Sequence, residues 1–277
     1  MIAEPSDWLA VNERDAPLIV AFPHAGTSLT AELEHDLTSP NLACQDTDWW
    51  LDRLYDFAAG LGATTVRTAL SRTVIDVNRD PSGASLYPGR TTTELCPTTT
   101  FDGQPLYRPG HEPDGARIDS RRRLYHDPYH RAIAAQVARL RGRHSRVVLY
   151  DAHSIRSLIP RLFEGELPHF NIGTFNGASC DAALTASVDA ACDVPGFTRV
   201  VNGRFQGGWT TRRHGRPDEG AHAIQMELAC RTYMDEPDGA LTSSNWPSPY
   251  DPDRATPARA VLAKVLETCL AFASGAA

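Results

Sequence analysis

Arg146-Val147-Val148-Leu149-Tyr150-Asp151-Ala152-His153-Ser154 runs from a continuous apolar stretch straight into an acid, a small residue and a histidine. An apolar run this short, without polar alternation, reads as a strand buried on both faces, as in mostly parallel sheets. Leu18-Ile19-Val20-Ala21-Phe22, between Pro17 and Pro23, repeats the pattern and leads into His24-Ala25-Gly26. Thr64 to Thr68, Thr73 to Val77, Phe170 to Phe175 and Thr198 to Val201 add β-rich segments. Between them, helical spacing appears over about 49–61 (Leu51, Leu54, Tyr55, Ala58, Leu61), Arg117 to about Arg143, about Asp181 to Ala191, and Thr256 to Ala273 with Pro257 near its start. Strand alternating with helix predicts an α/β fold with a mostly parallel sheet and helices on both faces, in one domain over 1–277.

The composition excludes several partners. A net charge of −7, from 34 acidic against 27 basic side chains, gives no footprint for nucleic acid or an anionic membrane. Lys264 is the only lysine, so the basic residues are almost all arginines, which matters only where an arginine sits opposite a carboxylate. The acidic stretch Met1 to Asp15 has no basic segment followed by an apolar run, and no later stretch reaches the ~18 apolar residues of a membrane span. A soluble, cytoplasmic protein is expected. Cys44, Cys96, Cys180, Cys192, Cys230 and Cys269 occur singly, without a CxxC pair, and read as reduced, mostly buried thiols. Asp80 to Ala116 is rich in Pro, Gly and Thr; its interspersed Leu86, Tyr87, Leu95, Phe101, Leu106 and Tyr107 favour an ordered lid or wall beside a site over a floppy insertion.

The sequence has no GxSxG elbow, GxxxxGK[ST] loop, GxGxxG fingerprint or HExxH helix, which removes the main support for serine hydrolase, NTPase, nucleotide oxidoreductase and thermolysin-like readings. His24 and His153 are each expected at the carboxyl end of a strand, where α/β proteins place ligands. Each alone reads more readily as a structural histidine than as a catalytic one. Together, beside small residues, they suit a metal ion that needs a third ligand, a carboxylate. Asp46 and Asp48 are the candidates; either can instead cap the helix that follows, and Asp48 is preferred because it opens that helix directly. Asn78-Arg79 places an amide beside a guanidinium, a pair suited to a substrate carboxylate, and Arg72 suits developing charge on a carbonyl oxygen. His222 to Leu228 reads as a strand or a helix; as a strand it points Glu227 away from Ile224, Met226 and Leu228, toward a cleft where it can act as a general base. The Gly-rich stretch Gly203 to Gly215 carries further donors, among them Arg212 and Arg213.

Taken together these segments resemble the N-formylglutamate amidohydrolases. The resemblance rests on Pro23 to Thr27, Asp46-Thr47-Asp48-Trp49, Ser71 to Arg79, Asp151 to Ser157, Arg161 to Gly165, Phe170 to Thr174, Gly203 to Gly208 and His222 to Glu227. The order His, carboxylate, Asn-Arg, His, late Glu is also similar to the wider zinc carboxypeptidase and aspartoacylase group. That likeness implies a phosphorylase/hydrolase-like fold with a mixed sheet. It implies Zn2+, or another divalent metal, on His24, Asp48 and His153, and Glu227 as base with Arg72 polarising the carbonyl. Asn78, Arg79 and Arg212 (or Arg213) would bind a small dianionic substrate. Carboxypeptidases carry a glutamate three residues after the first histidine; here that position is Thr27, so the ligand role passes to Asp48 or Asp46. The implied reaction is metal-assisted hydrolysis of N-formyl-L-glutamate to formate and L-glutamate in histidine degradation. A zinc deacylase of another N-acyl or N-formyl amino acid and a non-catalytic amino-acid-binding relative are the alternatives.

Overall fold

The structure is a computed structural model that describes residues 8–275; residues 1–7 of the acidic amino-terminal stretch lie outside the described residues. Seven strands form one sheet: β1 (Leu9–Asn12), β2 (Leu18–Phe22), β3 (Thr64–Thr68), β4 (Val147–Ile155), β5 (Phe170–Gly173), β6 (Arg199–Val201) and β7 (Ala221–Ala229), in the order β1-β3-β2-β4-β7-β5-β6. The central strands β3, β2, β4 and β7 are parallel, whereas β1 and β5 run antiparallel to their inner neighbours. Eight α-helical segments surround it: α1 (Ala31–Asp36), α2 (Pro40–Ala43), α3 (Leu51–Leu54), α4 (Gly115–Arg121), α5 (Asp127–Arg141), α6 (Ala182–Ala191), α7 (Trp209–His214) and α8 (Pro252–Ser274). This is the single-domain mixed α/β sheet that the sequence predicts.

Strand periodicity decides where the site falls. On one face Leu18, Val20, Val148, Tyr150, Ile224, Met226 and Leu228 pack with Val261, Leu262, Val265 and Leu266 of α8. On the other, Ile19, Ala21, Val147, Leu149 and Ala223 pack with Tyr129, Ile133 and Leu140 of α5. Farther along that second face the same alternation brings up Asp151 and His153 on β4, and Gln225 and Glu227 on β7. The sheet is thus apolar on both faces at the start of its strands and polar on one face at their carboxyl ends.

Several expected elements differ. β4 continues to Ile155 because β7 supplies ladder partners from Ala221 through Ala229, so His153 lies within the strand rather than after it. Residues 73–77 form turns, not a strand. Ser71 Oγ accepts from the Thr73 N–H, both hydroxyls donate to the Ala43 carbonyl, and the Asp76 carboxylate accepts from the Asn78 N–H, so side chains take the place of a ladder. The helix expected over 49–61 is two short pieces, α3 and a 3-10 turn at Asp56–Ala59, separated at Tyr55. The long helix after residue 117 is interrupted by a π-helical turn at Arg122–His126. Pro128 follows after Asp127, lacking an N–H and crowding the carbonyl four residues back. α8 starts at Pro252, where Asp251 caps the N–H groups of Asp253 and Arg254, so Pro257 lies inside the helix. The ambiguous 222–228 segment is a strand.

The 80–116 segment is ordered against the body without forming a strand or helix before Gly115. Leu95, Cys96, Leu106 and Tyr107 enter the second core, and Phe101 packs with Ile155 and Ile159. All six cysteines are free, and five are buried. Among the described residues no helix is long and apolar enough to cross a membrane.

Gly26 fixes the approach of the loop after β2 to the chain after β3. A Cβ there would lie 2.3 Å from the Ala69 carbonyl carbon and 2.5 Å from the Leu70 oxygen, both backbone atoms that cannot swing aside. Gly26→Ala is therefore expected to destabilise the fold by about 2–4 kcal/mol, read as a lowered denaturant midpoint; an unchanged midpoint would contradict this packing.

Candidate active site

His24 follows β2, and its carbonyl accepts the Asp48 N–H at 3.0 Å, so the backbone itself holds these two residues together. The chain then enters α3 through Trp50, whose φ of 62° is costly for a residue with a bulky side chain. His153 reaches the same point from β4. His153 Nδ1 lies 3.1 Å from Asp48 Oδ2 and His24 Nδ1 lies 3.7 Å from it; the imidazole centroids are 4.8 Å apart. One ligand atom from each of the three residues lies within 4.8 Å of the others, and all three residues are buried.

The far sides of both rings are tied down as well. His24 Nε2 lies 2.7 Å from Asp76 Oδ1, and His153 Nε2 lies 3.0 Å from Asp151 Oδ2. For His24, a carboxylate on Nε2 favours the tautomer that leaves Nδ1 with a lone pair, the arrangement that accompanies metal-bound histidines; His153 Nε2 faces both Asp151 and the Asn78 amide. Asp76 and Asp151 have no role in the sequence reading. Asp151 was within reach of it, because residues two apart on a strand share a face; Asp76 was hidden by the strand expected over 73–77.

The group fits a divalent cation. His24 Nδ1 and Asp48 Oδ1 are buried with no hydrogen-bond partner, and two imidazoles with one carboxylate suit zinc and similar ions. Burial raises the Asp48 carboxyl pKa, but His153 and His24 outweigh it and hold the group well below the ordinary carboxylate range. Burial likewise disfavours a charged His153, yet Asp151 and Asp48 push its pKa well above the usual imidazole value. The site draws positive charge. Asp46 turns elsewhere: its Oδ2 accepts the Phe101 N–H at 2.7 Å, and burial pushes it up to about 6.

β7 lies beside β4 with Glu227 directly opposite His153 in register. Glu227 is buried and lines a cleft with His24, His153, Arg72, Asn78 and Arg79. Burial pushes its carboxyl up to about 8; His153 pulls it down, and Asp48 adds to the rise. Gln225 Nε2 lies 3.3 Å from Glu227 Oε2 as donor, while its Oε1 accepts the Gly208 N–H at 2.7 Å. Arg72 donates to Asp76 Oδ2 at 2.5 Å, and its guanidinium lies 4.8 Å from the Phe101 ring centroid. Asp76 thereby connects His24 to Arg72.

Asn78 is clamped by the loop before α7. Its Oδ1 accepts the Thr210 N–H at 2.8 Å, which turns Nδ2 toward Asp151 and toward His153 Nε2, 2.9 Å away. Gly208 permits this: a Cβ there would lie 2.3 Å from Asn78 Nδ2. Arg79 donates to the Thr93 carbonyl and hydroxyl. The structure does not bring Arg212 to the cleft lining; its guanidinium lies 4.6 Å from the Phe175 centroid and its Nε donates to the Gly207 carbonyl. Arg213 is exposed. Residues without an assigned role also line the cleft, among them Tyr87, Thr91, Thr93 and Phe101 from the 80–116 segment, and Arg204 and Phe205 from the Gly-rich stretch.

The family model for N-formylglutamate amidohydrolase matches residues 16–234. The N-formylglutamate deformylase of Pseudomonas aeruginosa is 46% identical over 260 residues, covering 92% of this chain and 93% of that protein. The enzyme of the same name from Pseudomonas putida is 42% identical over 268 residues, covering 95% and 96%. In fold, the chain is similar to the crystal structure of N-formylglutamate amidohydrolase from Ralstonia eutropha JMP134, with a TM-score of 0.77 at 22% identity, covering 97% of this chain and 99% of that one. By sequence, the chain belongs to the N-formylglutamate amidohydrolase family.

Proposed function

We propose that this protein hydrolyses N-formyl-L-glutamate to formate and L-glutamate. The observation that carries the reading is the placement of Glu227, a buried carboxylate opposite His153 and facing the cleft that His24 also lines. It stands ready to move a proton where the His24–Asp48–His153 group can hold a cation. Relatives named for the deformylase reaction, at 46% and 42% identity, supply the substrate.

Zn2+ or another divalent cation held by His24, Asp48 and His153 would polarise the formyl carbonyl and make an attacking water more acidic. Glu227 accepts a proton from that water and returns it to the amine nitrogen as the C–N bond breaks. Arg72, fixed by Asp76, offers a permanent positive charge to the formyl oxygen as negative charge develops on it. Asp76 and Asp151 keep both imidazoles oriented. Asn78 is already engaged by Thr210 and Asp151, so within the Asn78-Arg79 pair Arg79 is the principal carboxylate binder, and Asn78 positions it next to the reacting centre.

The purified, metal-loaded protein is expected to release formate from N-formyl-L-glutamate faster than acetate from N-acetyl-L-glutamate or N-acetyl-L-aspartate. Preference for an acetylated substrate would make it a deacylase of another kind, and tight binding without turnover would make it a binding protein. Glu227→Gln is expected to lower kcat by roughly 10²–10⁴-fold with metal content unchanged; loss of metal instead would make Glu227 a ligand. Asp48→Ala should lose the metal and Asp46→Ala should keep it, as read by elemental analysis.

Proton transfer also sets a pH dependence. Glu227 is raised from an ordinary 4.5 to about 8 without a cation, so it becomes a base only as pH rises through its pKa. A bound cation favours the carboxylate and lowers that value. The acid limb of kcat/KM should therefore have its midpoint between these two values, and Glu227→Gln should abolish it. A limb that persists in that variant would assign it to another group.

A further inference from the structure

Three arginines line the cleft, and they differ in what already neutralises them. Arg72 is paired with Asp76 at 2.5 Å. Arg79 has Asp76 Oδ2 at 3.6 Å. Arg204 donates Nε to the Leu162 carbonyl at 2.9 Å and Nη2 to the Thr91 carbonyl at 3.0 Å, both uncharged acceptors. No carboxylate among the described residues lies within ion-pair distance of it. Its guanidinium carbon is 5.1 Å from the Phe205 ring centroid and 5.5 Å from that of Tyr87, so aromatic faces partly enclose a cation without a counter-ion. Burial, with the nearby Arg90 and Arg79, acts against its charge and outweighs Tyr87 and Glu227, which favour it, so its pKa is lowered from the ordinary guanidinium value. A rigidly held guanidinium of this kind at an open cleft is completed by an anion that arrives with the ligand.

The position of that anion follows from the chemistry of the substrate, and this step rests on the deformylase reading. In an N-formyl amino acid the α-carboxylate sits next to the carbon that carries the amide nitrogen, so its binder must lie close to the reacting carbonyl. Arg79 meets that requirement: its Nη2 lies 3.6 Å from Asp76 Oδ2, the carboxylate that also holds His24. The side-chain carboxylate of glutamate is farther along the chain, beyond two methylenes. Arg204 is anchored on the outer wall, to Leu162 and Thr91, with no hydrogen bond to the histidine and aspartate cluster.

We propose that Arg204 binds the side-chain carboxylate of the substrate and sets the preference for an acidic amino acid, while Arg79 takes the α-carboxylate. The loop before α7 and the 80–116 wall then form the specificity subsite together, since Tyr87 accepts the Gln206 N–H and donates to the Gly207 carbonyl. Arg212, stacked behind Tyr87 at 5.0 Å, supports that wall.

The test compares formate release from N-formyl-L-glutamate and N-formyl-L-glutamine, which have the same length and differ in one charge. Wild type is expected to prefer the glutamate compound by about 100-fold or more in kcat/KM. Arg204→Gln should lose most of that preference, mainly through a higher KM for N-formyl-L-glutamate, with N-formyl-L-glutamine within about threefold of wild type. Arg204→Met, which keeps an apolar stem between the two rings, should show the same shift and serves where the glutamine variant does not fold. Equal losses on both substrates would reduce Arg204 to a scaffold residue, and an unchanged preference in either variant, or no preference in wild type, would overturn the assignment. Failure of wild type to deformylate N-formyl-L-glutamate at all would instead sink the proposed reaction.

Discussion

Everything at the cleft depends on two imidazoles, from separate parallel strands, turning the same ring nitrogen toward one buried carboxylate. His24 and His153 both direct Nδ1 to Asp48, and each has a second aspartate on Nε2. Such a set is costly to bury. Asp48, Asp76 and Asp151 are at most 1% exposed, and isolated ionised carboxylates would not be tolerated there. Arg72 offsets part of that charge, and raised proton affinity on His153 and Glu227 takes up more. A divalent cation would answer the same need. The sheet's apolar start and polar end are thus one design: packing on both faces holds the strands rigid, and the rigid strands hold charges that would otherwise separate.

Much of this was legible in the sequence because it rests on short-range patterns. The runs 18–22 and 146–150 announce buried parallel strands, and the histidines at their ends point to a site. Alternation in 222–228 separates Glu227 from Ile224, Met226 and Leu228 before any coordinates are known. Helical spacing elsewhere gives the covering layers, with boundaries that shift where Pro128 or Asp251 intervenes.

What stayed hidden depends on contacts between distant segments. Residues 73–77 have strand composition, yet Ser71 and Thr73 bind the Ala43 carbonyl, a partner thirty residues away that no local pattern reveals. That misreading concealed Asp76, the residue joining His24 to Arg72. The contrast between Arg204 and Arg212 is similar. Both lie in a Gly- and Arg-rich stretch, and only the path of the 80–116 wall decides which one faces the cleft. The sequence leans to Asp48 over Asp46 only on helix position; the Phe101 N–H, from that same wall, separates them by taking Asp46.

Deformylation is expected to depend on one divalent ion held by the His24–Asp48–His153 group. Stripping the protein with a chelator and titrating Zn2+ back, while following formate release from N-formyl-L-glutamate, tests it most directly. Turnover should vanish on stripping and return in proportion to added metal, saturating at one ion per chain. Full turnover by protein shown to be metal-free would contradict the account.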